Sequence, residues 1–241
     1  MGLDDGLKRA NRSTYPEILY EMCDLRGAVA PPQFVVSADA HAKIAVRLGD
    51  ALRPYGQTVV LNTGGGRRWA QKLWTAAHFA DFVRLVRRVH PDWAVVVTGG
   101  RDEASANGTL IAVSPQQGVF DGGCTHSLEE FGALLTVATV VVTADSLALH
   151  MALALGLRAV AIVGPTSPWE LEMYGRGEVV HADVPCLACY KPRCPLPVTC
   201  MDLLTPQRVF DSVERVVAGV DRSASEASQT GARAELLSQH G

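Results

Sequence analysis

The stretch Ala144-Asp145-Ser146-Leu147-Ala148-Leu149-His150-Met151-Ala152-Leu153-Ala154-Leu155-Gly156 decides the fold. An apolar, β-branched run, Thr139 to Thr143, precedes it and reads as a buried strand. A second run, Arg158 to Val163, follows and ends in Gly164-Pro165-Thr166-Ser167. Strand, short polar turn, helix and strand make a βαβ unit, which favours a parallel sheet. Asp145 and Ser146 fall where strand gives way to helix. There the first backbone N–H groups lack intrahelical partners and carry partial positive charge, so the position suits a phosphate. It equally suits a plain N-cap, for which Asp and Ser are common choices. His150 follows about one turn later, either facing the same crevice or packed as a satisfied core histidine.

Outward from this unit the pattern repeats. Residues 58–62, 93–98 and 118–121 read as strands, the last an edge strand. Helices are expected over residues 75–90, 102–112 and 127–138, the third opening on the capping-box pattern Ser127-Leu128-Glu129-Glu130. A short helix over 168–174, a strand over 178–181 and a last helix from Thr205-Pro206 to about residue 218 complete the series. The alternation predicts an α/β fold, a doubly wound Rossmann-like parallel sheet over residues 57–218. Such sheets bind ligands outside the carboxyl ends of their strands. Three polar turns fall there: Thr63 to Lys72, Asp145 to His150, and Gly164 to Glu170.

Residues 1–56 lack that alternation. Helical spacing over 13–25 puts Tyr15, Ile18, Leu19 and Met22 on one face, and Thr14-Tyr15-Pro16-Glu17 supplies a start with Pro in the first turn. Ala28-Val29-Ala30-Pro31-Pro32 reads as a loop, and residues 38–52 as another helix. The segment is expected to be a helical connector without a core of its own. Residues 219–241, rich in Ser, Ala, Glu and Gln, read as a disordered tail.

The composition is that of a folded protein: 241 residues, 48% hydrophobic and 20% charged, with formal net charge −3. No basic stripe is present, which argues against a nucleic-acid partner. No apolar run is long enough to cross a bilayer. Met1-Gly2-Leu3-Asp4-Asp5 lacks the basic start and apolar core of a signal peptide, so a cytoplasmic, reducing location is expected. In that setting the six cysteines are read as metal-binding or free rather than disulfide-bonded.

Four of them share one loop, Cys186-x2-Cys189-x4-Cys194-x5-Cys200. Four thiolates can enclose a structural Zn²⁺ tetrahedrally, and an iron–sulfur cluster is also chemically open to them. The alternatives are free buried thiols or a disulfide. Pro192, Pro195 and Pro197 favour a rigid, non-helical loop in every case.

The turn Thr63-Gly64-Gly65-Gly66-Arg67-Arg68-Trp69 permits close backbone approach to an anion. Arg67, Arg68 and Lys72 offer charge-assisted hydrogen bonds. The turn is no P-loop, since Gly-Lys-Ser/Thr is absent, and its glycines lack dinucleotide-fingerprint spacing. Its plain alternative is a flexible surface turn with solvated arginines.

Taken in order, Lys72-x-Trp74 after a glycine-rich turn, Asp145-Ser146-x-x-x-His150 before an Ala-rich helix and Gly156, Gly164-Pro165-Thr166-Ser167, and the terminal cysteine loop resemble one family. It is glycosyltransferase family 9, the ADP-heptose:lipopolysaccharide heptosyltransferases. The resemblance covers about residues 57–218 and implies the C-terminal, donor-binding half of a GT-B fold. It implies that Lys72 faces the donor phosphate or sugar and Asp145 contacts the sugar region. Ser146 and the amide of Leu147 would form the diphosphate-binding helix start, with His150 near the diphosphate. Gly65 and Gly66 would face the donor, Gly164, Pro165 and Thr166 would line the nucleotide cleft, and Glu170 is added as a carboxylate in reach of a ribose hydroxyl.

Two departures stand out. Many family members have Gly where this chain has Leu147, whose side chain either narrows the approach to the phosphate or turns into the core. Residues 1–56 resemble only the tail of the acceptor domain and the interdomain connector, so the family's catalytic base has no counterpart and the catalytic residue stays unassigned. The resemblance implies a nucleotide-diphosphate sugar as donor and a lipopolysaccharide or related glycan, or lipid-linked, acceptor. It also implies a separate N-terminal acceptor domain as partner, and a place at the inner membrane face. No metal is expected to be required for transfer, since no DXD-like dyad sits in a suitable turn. The competing readings are a non-catalytic nucleotide-binding or assembly module, and a metal-binding protein built on the cysteine loop.

Overall fold

The structure, a computed structural model, describes residues 4–66 and 71–219. The expectations for Arg67, Arg68 and the tail beyond residue 219 lie outside the described residues. In chain order, α1 (Asp5–Ala10) and α2 (Tyr15–Met22) come first. α3 (Ala38–Ile44) continues through a π-helical turn, Ala45–Gly49, into α4 (Asp50–Leu52). Then follow β1 (Gln57–Asn62), α5 (Ala76–Val89), β2 (Trp93–Thr98), a 3₁₀ turn at Arg101–Glu103, and α6 (Ala104–Ala112). β3 (Val119–Gly123), α7 (Leu128–Leu135), β4 (Val140–Ala144), α8 (Leu147–Ala154) and β5 (Ala159–Ile162) lead to β6 (Gly177–Val180) and α9 (Cys200–Leu203). A last helix, α10, covers residues 206–219.

The six strands form one parallel sheet in the order β3-β2-β1-β4-β5-β6. Leu61 on β1 pairs with Val97 on β2 and with Val142 on β4, which in turn pairs with Val160 on β5. The chain leaves β1 in one direction to build β2 and β3, then returns to lay β4 on its other side. The order therefore reverses between β1 and β4, and a crevice opens at their carboxyl ends.

Period-two alternation explains why strands that read as continuous apolar runs are buried on both faces. Val59, Leu61, Val95, Val97, Val140 and Val142 face α5 and α10, where Phe82, Val83, Val86, Phe210 and Val213 meet them. Val60, Val96, Val141, Ala159 and Ala161 face the other layer, with Ile44, Leu48, Leu134, Leu135, Leu149 and Leu153. Full burial of each such side chain contributes about 1.5–3 kcal/mol.

Three details depart from the sequence expectations. Residues 168–174 form turns rather than a helix. The Glu172 carboxylate takes the Tyr174 N–H at 2.7 Å, the Glu170 carbonyl accepts from the distant Tyr15 N–H at 2.9 Å, and Tyr174 adopts a positive φ. Groups that would build a helix are spent elsewhere. α7 ends at Leu135, beyond which the Val137 and Ala138 N–H groups turn to the Leu134 and Leu135 carbonyls three residues back, at 3.2 and 3.0 Å. The helical run 38–52 is present, but Ala40, Ile44 and Leu48 join the sheet's second core layer, so this part of the connector is held by the sheet. In contrast, no residue of α2 is buried, and Tyr15, Leu19 and Met22 are exposed.

α8 ends as its sequence implies. Gly156 takes φ +76, and the Leu157 N–H reaches back to the Ala152 carbonyl at 2.9 Å, which closes the last turn and sends the chain into β5. Among the described residues no helix is long and apolar enough to cross a membrane.

Candidate functional site

Loops from both sides of the β1–β4 crevice meet on one carboxylate. Lys72 follows β1 and Asp145 follows β4. The Lys72 Nζ donates to Asp145 Oδ2 at 2.7 Å, with side chains only 12% and 19% exposed. The Thr166 hydroxyl, from the turn after β5, donates to the same oxygen at 3.0 Å. His150, one turn into α8, brings Nε2 to 3.8 Å from Asp145 Oδ1 and is itself 62% exposed. Removal from bulk water makes such charge-assisted hydrogen bonds stronger and more directional than surface pairs.

Next to this cluster lies a cavity of about 450 Å³. Gly64, Gly65 and Gly66 form one wall, with Ser146 and Leu147 at the start of α8. Gly66 has φ +81, and a Cβ on Gly65 would come within 2.6 Å of the Leu73 side chain, so backbone alone fits there. Leu147 is 60% exposed and faces the cavity rather than the core. Glu103 and His126 line the same cavity. The Glu103 carboxylate accepts the Gly100 N–H at 2.8 Å, and a His126 ring nitrogen donates to the Gly122 carbonyl at 2.7 Å.

Asn62 borders the cavity, and other buried polar side chains brace it and the neighbouring strand end from behind. Asn62 Nδ2 donates to the Gly64 carbonyl at 2.8 Å and to Thr143 Oγ1 at 2.9 Å. Thr143 Oγ1 lies 3.0 Å from the Ser146 hydroxyl. Thr63 Oγ1 donates to Asn107 Oδ1 at 2.7 Å. Sequence reading assigns no role to Asn62, Thr143 or Glu103, and takes His126 as a histidine on a polar or helical position without metal-ligand spacing. The available signal was a polar residue closing an otherwise apolar strand, at Asn62 and Thr143. Glu103 and His126 looked like ordinary residues next to helix starts.

The structure thus divides the expected residues into groups. Lys72, Asp145, His150 and Thr166 converge. Gly65, Gly66, Ser146 and Leu147 line the cavity beside them. Gly164 and Pro165 back the Thr166 turn from behind: a Cβ on Gly164 would meet Met201 Sδ at 2.5 Å and Cys200 Sγ at 3.0 Å. The Pro165 carbonyl accepts the Tyr190 N–H at 2.8 Å. Glu170 is occupied in the same scaffold, its carboxylate accepting the Tyr190 hydroxyl at 2.7 Å. Burial, reinforced by that carboxylate, pushes the Tyr190 phenol well above its ordinary range.

Cys186, Cys189, Cys194 and Cys200 line a second cavity of about 280 Å³, bordered by Gln71 and Pro165. All four are free thiols. Burial, with the neighbouring Cys189, Cys186 and Cys194, pushes the Cys200 thiol up to about 11. As they stand, no three His, Cys, Asp or Glu side chains among the described residues are placed to hold a metal ion. The donor set suits a soft cation, but closing on one requires the loop to contract.

A family described as glycosyltransferase family 9 (heptosyltransferase) matches residues 14–199. Lipopolysaccharide heptosyltransferase 1 of Pseudomonas aeruginosa is 27% identical over 169 residues, covering 63% of this chain and 46% of that protein. Lipooligosaccharide heptosyltransferase 2 of Campylobacter jejuni is 24% identical over 169 residues, covering 67% of this chain and 52% of that protein. The chain spans about half the length of these curated relatives. Among solved structures, E. coli ADP-heptose lps heptosyltransferase II superposes with a TM-score of 0.66 at 20% identity, over 83% of this chain and 57% of that one. The iron-containing dodecameric heptosyltransferase TibC, in complex with ADP-D-beta-D-heptose, gives a TM-score of 0.52 at 18% identity, over 69% of this chain and 46% of that one. These superpositions speak for a shared fold.

Proposed function

The chain belongs to glycosyltransferase family 9, and from that premise we propose that it binds a nucleotide-diphosphate sugar of the ADP-heptose kind for transfer to a lipopolysaccharide or related glycan acceptor. In this reading residues 57–218 are the donor domain, and residues 1–56 are a remnant of the acceptor domain with the interdomain connector. The supporting observation is the convergence of Lys72, Thr166 and His150 on Asp145, beside a helix start and a glycine turn at the β1–β4 crevice.

In this reading the nucleoside occupies the cavity near Glu103 and His126. The diphosphate rests between Gly64–Gly66 and the first amides of α8. The sugar reaches toward Lys72 and Asp145. An acceptor hydroxyl forms a bond to the anomeric carbon while the bond from that carbon to the diphosphate oxygen breaks. Negative charge gathers on the leaving diphosphate, and Lys72 with the α8 amides stabilises it. The proton lost by the acceptor goes to a base on the acceptor domain. No metal is assigned to this step, and the reaction is placed at the cytoplasmic face of the inner membrane, where a lipid-linked acceptor is met.

The test is calorimetric titration with ADP. Wild type is expected to bind and Asp145→Ala to bind at least about tenfold more weakly. Absence of binding to any nucleoside diphosphate overturns the reading.

A second reading is favoured by the four thiols that share one cavity. The cysteine loop closes around a structural zinc or iron ion that stiffens the Pro165–Thr166 turn. Stoichiometric metal in the purified protein, with a chelator-induced fall in Tm, tests it. Metal-free protein with unchanged Tm overturns it.

A further inference from the structure

Ser146 stands at the N-cap of α8 yet does not cap it. Thr14, Ser37, Thr75, Ser127 and Thr199 occupy the same position on their helices, and each accepts a helix N–H through its hydroxyl. Capping by Ser or Thr is worth about 1 kcal/mol, so a serine withheld from it needs a competing partner. That partner is Thr143. Its hydroxyl lies 3.0 Å from Ser146 Oγ, and Thr143 is completely buried.

Thr143 is itself fixed by Asn62, whose amide donates to it at 2.9 Å and to the Gly64 carbonyl at 2.8 Å. A hydroxyl has one proton and two acceptor sites. With an acceptor site filled by Asn62, the Thr143 proton is directed onward, to Ser146 or to the Ala144 carbonyl 3.2 Å away. When it goes to Ser146, the serine's own proton is left to point into the cavity. The amides of Leu147 and Ala148 meanwhile have no backbone acceptor among the described residues.

We infer that Asn62 and Thr143 are positioning residues for the donor: they hold the Ser146 hydroxyl off the helix, so that the first α8 amides and the serine proton are both presented to the anionic diphosphate. The inference rests on the donor-site reading above. It also gives a reason for the same amide to grip Gly64: one side chain sets both walls between which the diphosphate rests.

The experiment measures ADP affinity by calorimetry and Tm for wild type, Thr143→Val, Thr143→Ser, Ser146→Ala and the Thr143→Val/Ser146→Ala double variant. Valine keeps the shape of threonine but neither accepts from Asn62 nor holds Ser146. Thr143→Val is expected to weaken ADP binding about tenfold, and Thr143→Ser to stay within about twofold of wild type. The double variant is expected to bind no more weakly than Thr143→Val alone, because both changes act through one link.

A merely structural threonine lowers Tm in Thr143→Val and leaves ADP affinity intact. That result overturns the inference, and so does a double variant whose losses add. Should Thr143→Val not fold, Thr143→Cys, a small side chain with weak hydrogen bonding, replaces it with the same two outcomes. If wild type binds ADP and the variant binds equally, this inference alone falls. If wild type binds no nucleotide, it falls together with the donor-site reading.

Discussion

Lys72 and Asp145 stand 73 residues apart in the chain, and their charged groups meet at 2.7 Å across the mouth of the sheet. Neither is fully buried, so the pair is weaker than a desolvated one and stronger than a surface one. Lys72→Met and Asp145→Asn are each expected to lower unfolding free energy by about 1–2 kcal/mol, with a coupling energy of about 0.5–1.5 kcal/mol in the double-mutant cycle. Urea titration of the four proteins measures this. A coupling of zero means that the contact is incidental.

Leu147 offers a test of fit. Its exposed side chain borders the cavity at the first residue of α8. If it crowds the approach to the helix amides, Leu147→Gly tightens ADP binding several-fold despite a helix-propensity loss of about 0.5–1 kcal/mol. Unchanged affinity means that the side chain stands clear of the phosphate path.

Phe82 is completely buried between β-sheet and helix. Phe82→Ala is expected to cost about 3–5 kcal/mol in urea unfolding. Protein that remains folded should keep its ADP affinity, since Phe82 borders neither cavity. Loss of affinity without loss of stability contradicts this division between core and site.

Acid stability should depend on Glu178. The Arg215 guanidinium holds its carboxyl below the usual range at 2.7 Å, assisted by the Ser212 hydroxyl at 2.7 Å. A depressed folded-state value contributes stability above the ordinary carboxylate pKa, about 4.3, and loses it as pH falls through the lower folded value. Glu178→Gln should therefore reduce stability at neutral pH by about 0.5–1 kcal/mol and flatten the acid limb of the stability curve. An acid limb as steep as wild type points to other carboxylates.

Much of the fold was legible because β4 and β5 flank a helix with a clear start and a Gly156 stop. The valines of β1, β2 and β4 also announce strands buried on both faces. Residues 168–174 misled, because local pattern carries no trace of the distant Tyr15 amide and Tyr190 hydroxyl that claim Glu170. In the site, Lys72 and Asp145 could be singled out by motif, but their contact could not, since it depends on β4 lying beside β1. Asn62, Thr143, Glu103 and His126 were missed for a related reason. Asn62 and Thr143 meet across the ends of β1 and β4, while Glu103 and His126 brace their own loops at Gly100 and Gly122 and share the cavity only because the sheet brings those loops together; periodicity records only a residue's own element.

Strands β1 and β4 touch although two other strands are made between them. Any ligand lodged at that seam grips two segments far apart in the chain that only the β1–β4 pairing holds side by side. On the proposed donor-site reading, nucleotide affinity would gauge that long-range assembly: a chain without the β1–β4 register offers half a surface and little grip. Saturating ligand in turn staples the sheet at its centre, adding RT ln(1 + [L]/Kd) to its resistance to unfolding.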